Sequence, residues 1–175
     1  FNPNDFVEGI DASTWKDLND SPEKPLYNRP LKGTYAPGST YKPFMALAAL
    51  ETGKRTPSQS IADPGYFILG NNTFRDDKVG GHGSVDMAKS IVESCNTYYY
   101  HLARDMGVNP MHDFMKPLGL GQITGIDLVG EARGILPSTA WKEKAFKKVE
   151  QQKWFEGETI SLGIGQGYNS FTMLQ

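Results

Sequence analysis

The stretch YAPGSTYKPFMALAALETG, Tyr35 to Gly53, decides the fold of this chain. Its second half is apolar and rich in strong helix formers, and Gly53 is a typical end signal, so the pattern predicts a helix over residues 39–52. Pro43 has no N–H to donate, which is harmless only within the first turn of a helix, where no partner carbonyl exists. The proline therefore places the start of the helix at about Ser39.

Ser39 and Lys42 lie three residues apart at this helix start. That spacing puts both side chains on one face, close enough for a hydrogen bond between the hydroxyl and the amine. The first-turn N–H groups and the helix dipole favour negative charge at the serine, which suits a nucleophile whose proton a base removes. The same pattern also fits an ordinary serine cap followed by a solvated lysine, so the pair alone does not assign a chemistry.

Composition and charge exclude several classes of protein. The chain has 175 residues, 38% hydrophobic and 22% charged, which is enough for one globular domain with its own core. Net charge is -2, and the basic residues are scattered apart from a short cluster over 142–153, so no nucleic-acid partner is predicted. No apolar run approaches the roughly 18 residues that a spanning helix needs. A single cysteine, Cys95, excludes an internal disulfide.

The rest of the chain predicts helices joined by turn-rich loops. Helices are expected near 13–18, from Ser84 or Asp86 to about 94, over 97–107, from Asn109 through Pro110 to about 121, and over 138–152. Between them, 54–83 is expected to hold one or two short strands at most, and 125–137 a short hairpin. The tail FTMLQ, 171–175, is typical of the first turn of a helix.

A second motif, Ser94-Cys95-Asn96, lies between two predicted helices, on a loop that suits substrate contacts. S-x-x-K followed by S-x-N resembles the signature set of the penicillin-binding proteins and serine β-lactamases. The longer stretches LKGTYAPGSTYKPF, FRDDKVGGHG and ISLGIGQGYNSFTMLQ agree with this family. Within it, the chain is most similar to the class B peptidoglycan D,D-transpeptidases of rod-shape elongation.

The resemblance implies an α+β fold and one partial domain. Residues 1–175 would form mainly the helical part of a transpeptidase domain, with most of the central antiparallel sheet outside the segment. Its sheet-facing apolar surface would then need a partner. The family's third motif, K-S/T-G, is absent from its expected place, so the segment is expected to stop before that strand and to be inactive by itself.

The resemblance also implies residue roles. Ser39 would be the acylated nucleophile, with its own N–H as one oxyanion donor, and Lys42 would be the proton acceptor. Ser94 would relay the proton to the departing D-alanine, and Asn96 would bind the donor peptide's amide. A β-lactamase would be expected to add a carboxylate or a modified lysine that activates water; the sequence shows no clear candidate beyond Glu93, next to Ser94. A non-catalytic penicillin sensor would share all of these motifs.

Three more residues are candidates for substrate binding. Gly165 and Gln166 are expected to form a turn beneath the active site, and Tyr41 is expected either to line the cleft or to pack in the core. The partners implied by the resemblance are the stem pentapeptide of peptidoglycan, β-lactam antibiotics, a glycan polymerase and rod-shape elongation proteins. It also implies a periplasmic catalytic domain with an inner-membrane anchor outside this segment, and no cofactor for the chemistry.

A metal site is a separate hypothesis, which is drawn from the residue types and not from the family resemblance. A soft thiolate, an imidazole and two carboxylates suit tetrahedral zinc. The long 54–83 loop has little apolar content, so a bound metal would hold it in place where packing cannot. The spacing matches no standard zinc finger, and each residue also has an ordinary structural interpretation. Asp77 is the substitute ligand if Asp76 points away. The candidate ligands are Asp63, Asp76, His82 and Cys95.

Overall fold

A computed structural model describes residues 1–175 as nine α-helices and six short β-strands. The helices are α1 (Ala12–Asp20), α2 (Arg29–Lys32), α3 (Lys42–Glu51), α4 (Met87–Val92), α5 (Asn96–Met106), α6 (Val108–Met115), α7 (Thr139–Ala145), α8 (Val149–Gln152) and α9 (Glu156–Leu162). The strands are β1 (Thr34–Tyr35), β2 (Ile61–Asp63), β3 (Tyr66–Leu69), β4 (Asn72–Arg75), β5 (Gly83–Val85) and β6 (Phe171–Thr172). None of the helices combines the length and the apolarity that crossing a membrane requires.

Helices α3, α5 and α6 form the centre of the core. Met45, Tyr99, Leu102 and Met115 have no more than traces of exposed surface and belong to one buried cluster. The opposite face of α3 is different, because Phe44, Leu47 and Leu50 remain 39–46% exposed. A helix that is apolar all round is normally covered on both faces.

The start of α3 agrees with the reasoning from Pro43. A 3-10 turn over Gly38–Tyr41 leads directly into α3, and Pro43 is the second residue of the α-helix. Continuous helical structure therefore spans 38–51, close to the predicted 39–52. Ser39 lies in the 3-10 turn rather than in the α-helix itself.

The strands were the weakest part of the prediction. Segment 54–83 holds β2, β3 and β4 and the start of β5, not one or two strands, in the antiparallel pairs β2–β5 and β3–β4. The tail is not a helix: β6 pairs with β1, Tyr35 opposite Phe171. The ring of Phe171 stacks on Tyr41 at 6.3 Å, so tertiary packing overrides the local helix propensity here.

Three further helix and hairpin predictions need correction. The expected helix over 138–152 is broken into α7 and α8 because Phe146 adopts an extended conformation. No hairpin forms over 125–137, where only Ile135 bridges to Ser170. Asn109 does not cap α6, which begins at Val108, and its side chain instead bonds to Thr139.

The other caps follow the sequence signals. Asp86 caps α4 by accepting a hydrogen bond from Lys89 N at 2.9 Å, whereas the alternative cap, Ser84, lies in β5. Gly107 ends α5 with a φ of 77°, as expected of a C-terminal glycine. Near the amino terminus, Asp11 caps α1, which is longer than the single turn predicted there.

Helix α9 packs closely on α5 through Gly163. A Cβ atom at Gly163 would lie 2.5 Å from the carbonyl oxygen of Tyr99 and 2.7 Å from Ala103 Cβ. Such distances are far inside van der Waals contact, so only glycine allows this approach. The contact connects the end of α9 to the helix that carries Asn96.

We expect Gly163→Ala to destabilise the protein by about 1–3 kcal/mol, because the added methyl group must displace the α5 backbone. The matched control is Gly157→Ala in α9, where the nearest atom would lie at 3.9 Å. That change should be neutral or stabilise by up to about 1 kcal/mol. Thermal or urea unfolding measures both, and equal stability of the two variants would contradict this packing.

Candidate active site

Ser39 is exposed at the surface of the 3-10 turn that precedes α3. Its hydroxyl makes no hydrogen bond to another residue of the chain, so the oxygen is open to a substrate. Neighbouring groups fix the turn: Thr40 Oγ1 donates to Pro37 O at 3.0 Å, and Gly38 N donates to Gly165 O at 2.9 Å. The backbone around Ser39 is therefore held while its side chain stays free.

Lys42 has a buried side chain, only 2% of the residue being exposed, and its amine joins the two sequence motifs. Its Nζ lies 2.9 Å from Ser94 Oγ, 2.5 Å from Ser94 O and 2.7 Å from Asn96 Oδ1. The hydrogen bond expected between Ser39 and Lys42 is not formed, because these acceptors hold the amine. The ring of Tyr99 lies beneath it, with its centroid 5.6 Å from Nζ.

Burial lowers the pKa of Lys42 below the ordinary 10.5, although Asp76, Asp77 and Cys95 act in the opposite direction. A neutral amine has two N–H donors and one lone pair. Nζ can then donate to Ser94 O and to Asn96 Oδ1, while the Ser94 hydroxyl donates to the lone pair of Nζ. The arrangement therefore suits a lysine that exchanges protons rather than one that only carries charge.

Ser94 is held in a rare backbone conformation between α4 and α5. Its φ is 52°, in the left-handed region that non-glycine residues seldom adopt. Ser94 N and Cys95 N close the end of α4 by donating to Ile91 O and Ser90 O. This bend turns both the carbonyl and the hydroxyl of Ser94 towards Lys42. Strain of this kind is common at functional sites.

Asn96 is the first residue of α5, at the helix start rather than on the loop proper. Its Oδ1 accepts from Lys42, which fixes the orientation of the amide. The side-chain NH₂ makes no hydrogen bond within the chain and is half-exposed with the rest of the residue. A donor is therefore available beside Lys42 for a carbonyl of a ligand.

The three candidate substrate-binding residues are placed differently. Gly165 is buried directly against the nucleophile turn, since a Cβ atom on it would lie 2.2 Å from Gly38 O. Gln166 is exposed, and its amide lies beside Gly38. Tyr41 is 3% exposed and stacks on Phe171, so of its two expected roles the structure favours core packing.

The four candidate metal ligands converge. One ligand atom from each of Asp63, Asp76, His82 and Cys95 lies within 4.8 Å of the others. Asp63 Oδ2 is 2.8 Å from His82 Nδ1 and 3.4 Å from Cys95 Sγ, and Asp76 Oδ2 is 3.3 Å from the same sulfur. Asp77, the substitute ligand, is not part of the group.

Neighbouring N–H groups orient both carboxylates. Gly65 N donates to Asp63 Oδ1 at 2.7 Å, and Thr97 N donates to Asp76 Oδ2 at 2.8 Å. Burial raises the pKa of Asp76, but hydrogen bonds from Asp77, Thr97 and Cys95 outweigh it and leave that pKa well below its usual range. The aspartate is therefore ionised, as a metal ligand must be.

The donor set fits zinc. Burial raises the pKa of the Cys95 thiol well above its usual range, and the nearby carboxylates raise it further. A fully buried sulfur that faces two carboxylates would be a thiolate only beside a cation, and zinc binds sulfur in that form. One sulfur, one imidazole nitrogen and two carboxylate oxygens are the four ligands of a closed tetrahedral site.

The profile described as penicillin binding protein transpeptidase domain matches residues 1–175. The chain belongs to that family. A protein named peptidoglycan D,D-transpeptidase MrdA from Acinetobacter baumannii is 46% identical over the whole of this chain, which covers 26% of that relative.

Solved structures of the penicillin-binding family give the same result for the fold. PBP2 of Pseudomonas aeruginosa in complex with WCK 5153 has a TM-score of 0.89 and 44% identity, and the match covers 98% of this chain and 39% of that one. The complex between PBP2 and MreC from Helicobacter pylori has a TM-score of 0.90 and 36% identity, covering 100% and 32%. The resemblance and the α+β fold are confirmed, and the chain spans well under half of each of these relatives.

Proposed function

We propose that this chain is part of the transpeptidase domain of a peptidoglycan D,D-transpeptidase that forms an acyl-enzyme on Ser39. One observation carries the proposal: the amine of Lys42, three residues after the exposed Ser39, contacts both Ser94 and Asn96. The S-x-x-K and S-x-N motifs thereby form one hydrogen-bonded group, although 52 residues separate Lys42 from Ser94. The family membership supports the same reaction class.

In the proposed acylation, Ser39 Oγ attacks the carbonyl carbon of a D-Ala-D-Ala bond and its proton passes to neutral Lys42. The Ser39 N–H stabilises the oxyanion, and residues outside 1–175 would supply the second donor. As the C–N bond breaks, Ser94 Oγ gives its proton to the leaving nitrogen and regains one from Lys42. The products are an ester on Ser39 and free D-alanine.

In the second half-reaction, an amine from a neighbouring stem peptide attacks the ester and loses a proton to the same lysine. The new amide is the cross-link, and Ser39 regains its hydrogen. A β-lactam follows only the first path, because its leaving nitrogen stays tethered to the acyl group. The free NH₂ of Asn96 is placed to bind the carbonyl of the donor peptide.

The β-lactamase alternative has less support. Glu93 is exposed at the end of α4 and makes no side-chain hydrogen bond, so nothing directs its carboxylate towards Ser39. Fast hydrolysis of the ester needs a held water and a base to activate it. A penicillin sensor without turnover would share the geometry described above, and the lifetime of the acyl group separates it from a β-lactamase.

Partners and location are also proposals. The Helicobacter pylori PBP2 that resembles this chain has been solved with MreC, which supports a partner among rod-shape elongation proteins. A glycan polymerase would supply the strands to be cross-linked. We place the domain in the periplasm, with an inner-membrane anchor in another part of the protein.

The full-length protein should become labelled by fluorescent penicillin, and Lys42→Ala should lose at least about 99% of the rate, since general base catalysis contributes 10²–10⁴-fold. Lys54→Ala, just beyond the other end of α3 at an exposed lysine, is the control and should label normally. Gel fluorescence over time measures the rate. Absence of wild-type labelling contradicts the proposal, and loss of label within seconds favours a β-lactamase.

The acylation rate should rise with pH as Lys42 loses its proton. Because burial lowers the pKa of this amine, the rate should reach half of its plateau at a pH below 10.5. Stopped-flow measurement with a chromogenic β-lactam gives the profile. A rate that falls with rising pH through this range would contradict the role of Lys42 as proton acceptor.

We also propose that Asp63, Asp76, His82 and Cys95 hold a structural zinc ion. The metal would fasten the strand-rich 54–83 segment to Cys95, between the two catalytic residues Ser94 and Asn96. Zinc would supply no step of the acyl transfer. Its contribution would be to hold the segment against α5 and thereby to stabilise the Ser94 bend.

The purified protein should contain about one zinc per chain by elemental analysis. Removing it with a strong chelator should lower the melting temperature by about 10 °C, since ligand at a thousand times its Kd adds about 4 kcal/mol. Asp63→Asn should abolish the zinc content, whereas Asp113→Asn, an exposed carboxylate on α6, should not. Absence of stoichiometric metal would overturn the site.

A further inference from the structure

A second buried lysine lies outside the catalytic group. Lys142, in α7, is 3% exposed, and Lys42 is the only other buried lysine. Its Nζ donates to Glu158 Oε1 at 2.5 Å, to Glu158 Oε2 at 2.6 Å and to Lys153 O at 2.8 Å. All three N–H donors of the ammonium are therefore satisfied within the protein.

Four aromatic rings surround the same ammonium group. The centroids of Phe146, Trp154, Phe155 and Tyr168 lie 5.9, 5.5, 5.4 and 5.7 Å from Lys142 Nζ. Each distance is within the range at which a ring attracts a cation, and the effect grows when water is excluded. The charge is thus held by one carboxylate and an aromatic enclosure rather than by solvent.

Glu158 connects this enclosure to the polypeptide that follows α9. Its carboxylate accepts from Phe155 N at 2.8 Å and from the Tyr168 hydroxyl at 2.9 Å, in addition to Lys142. Burial raises the pKa of Glu158, but the hydrogen bonds from Lys142, Phe155 and Tyr168 outweigh it, so the group stays ionised. A charged acceptor makes the Tyr168 hydrogen bond stronger than one between neutral groups.

Tyr168 directly follows the turn that contacts the nucleophile. Gly165 accepts from Gly38 N at 2.9 Å, one residue before Ser39, and has no room for a side chain there. On its other side, Gly163 is pressed against Tyr99 O in α5. The 163–167 turn therefore packs between the Ser39 turn and α5, the helix that begins at Asn96. Tyr168, the residue after the turn, holds its C-terminal end in place.

We propose that Lys142, Glu158 and Tyr168 are positioning residues for Ser39, acting through the 163–167 turn. The inference rests on the proposed acyl transfer and extends it to residues that touch no substrate. A buried ion pair is seldom a net source of stability compared with apolar packing, so its directional bonds are the better reason for it. The last of these hydrogen bonds joins Glu158 to Tyr168, and Tyr168 holds the 163–167 turn that contacts Gly38.

The test measures acylation of the full-length protein by fluorescent penicillin, separating the rate constant at saturation from the dissociation constant of the encounter complex. Tyr168→Phe keeps the ring, which packs on Trp141 at 5.1 Å, and removes only the hydroxyl. The rate constant should fall about tenfold, with the dissociation constant unchanged within about twofold, as loss of a charge-assisted hydrogen bond predicts. The melting temperature should change by only a few degrees.

Two comparisons separate positioning from general stability. Glu156 lies on the same helix as Glu158 and forms an exposed ion pair with Arg104 of α5. Glu156→Gln breaks that pair and should leave acylation unchanged. Glu158→Gln should slow acylation, because it removes the negative charge that pairs with Lys142 and strengthens the Tyr168 hydrogen bond. Adding Tyr168→Phe to it should slow acylation by less than the product of the two single effects, because both residues share that hydrogen bond.

The outcomes are distinct. Tyr168→Phe acylating as fast as the wild type, or a loss of rate that only follows the loss of folded protein, overturns this inference and leaves the proposed function standing. A wild type that penicillin never acylates overturns the proposed function and this inference with it.

Discussion

The buried amine of Lys42 is the interaction on which the site depends. It is the only group that contacts both S-x-N residues, and it lies one turn from the exposed serine. Burying a lysine is costly unless its donors are satisfied, and here Ser94 and Asn96 satisfy them. The need to satisfy one buried nitrogen therefore brings the N-terminal ends of α3 and α5 together, and with them the residues of the proposed acyl-transfer site.

The bend at Ser94 follows from the same requirement. A serine with positive φ is unfavourable by itself, and the surrounding contacts must hold it. Lys42 binds the Ser94 carbonyl from one side, and the Cys95 cluster anchors the next residue from the other. The proposed zinc and the proposed catalytic lysine would thus act on neighbouring peptide groups, which would explain why a metal site without a chemical role lies so close to Ser94.

Sequence reasoning was accurate where the signal is local. Pro43, Gly107 and Asp86 marked helix ends that the structure confirms, because caps and prolines act within one turn. The four candidate metal ligands, whose donor atoms the structure brings together, could also be selected from the sequence, since few side chains have such chemistry. The β1–β6 pair was missed because its two strands are distant in sequence, and nothing near FTMLQ indicates that it pairs with Thr34–Tyr35. Lys142 was counted only as part of a basic cluster, since its burial depends on rings from three separate segments.

The hydrogen bond between Gly38 and Gly165 has a consequence for how the protein matures. It joins the turn that carries Ser39 to a residue much further along the chain, so the turn cannot reach its final form until Gly165 has been synthesised. Contacts between distant segments also form slowly, because loop closure must come first. A nascent chain would therefore carry Ser39 and Lys42 before Gly165 can fix the turn between them and α5, so the proposed site forms only after this distant segment has folded.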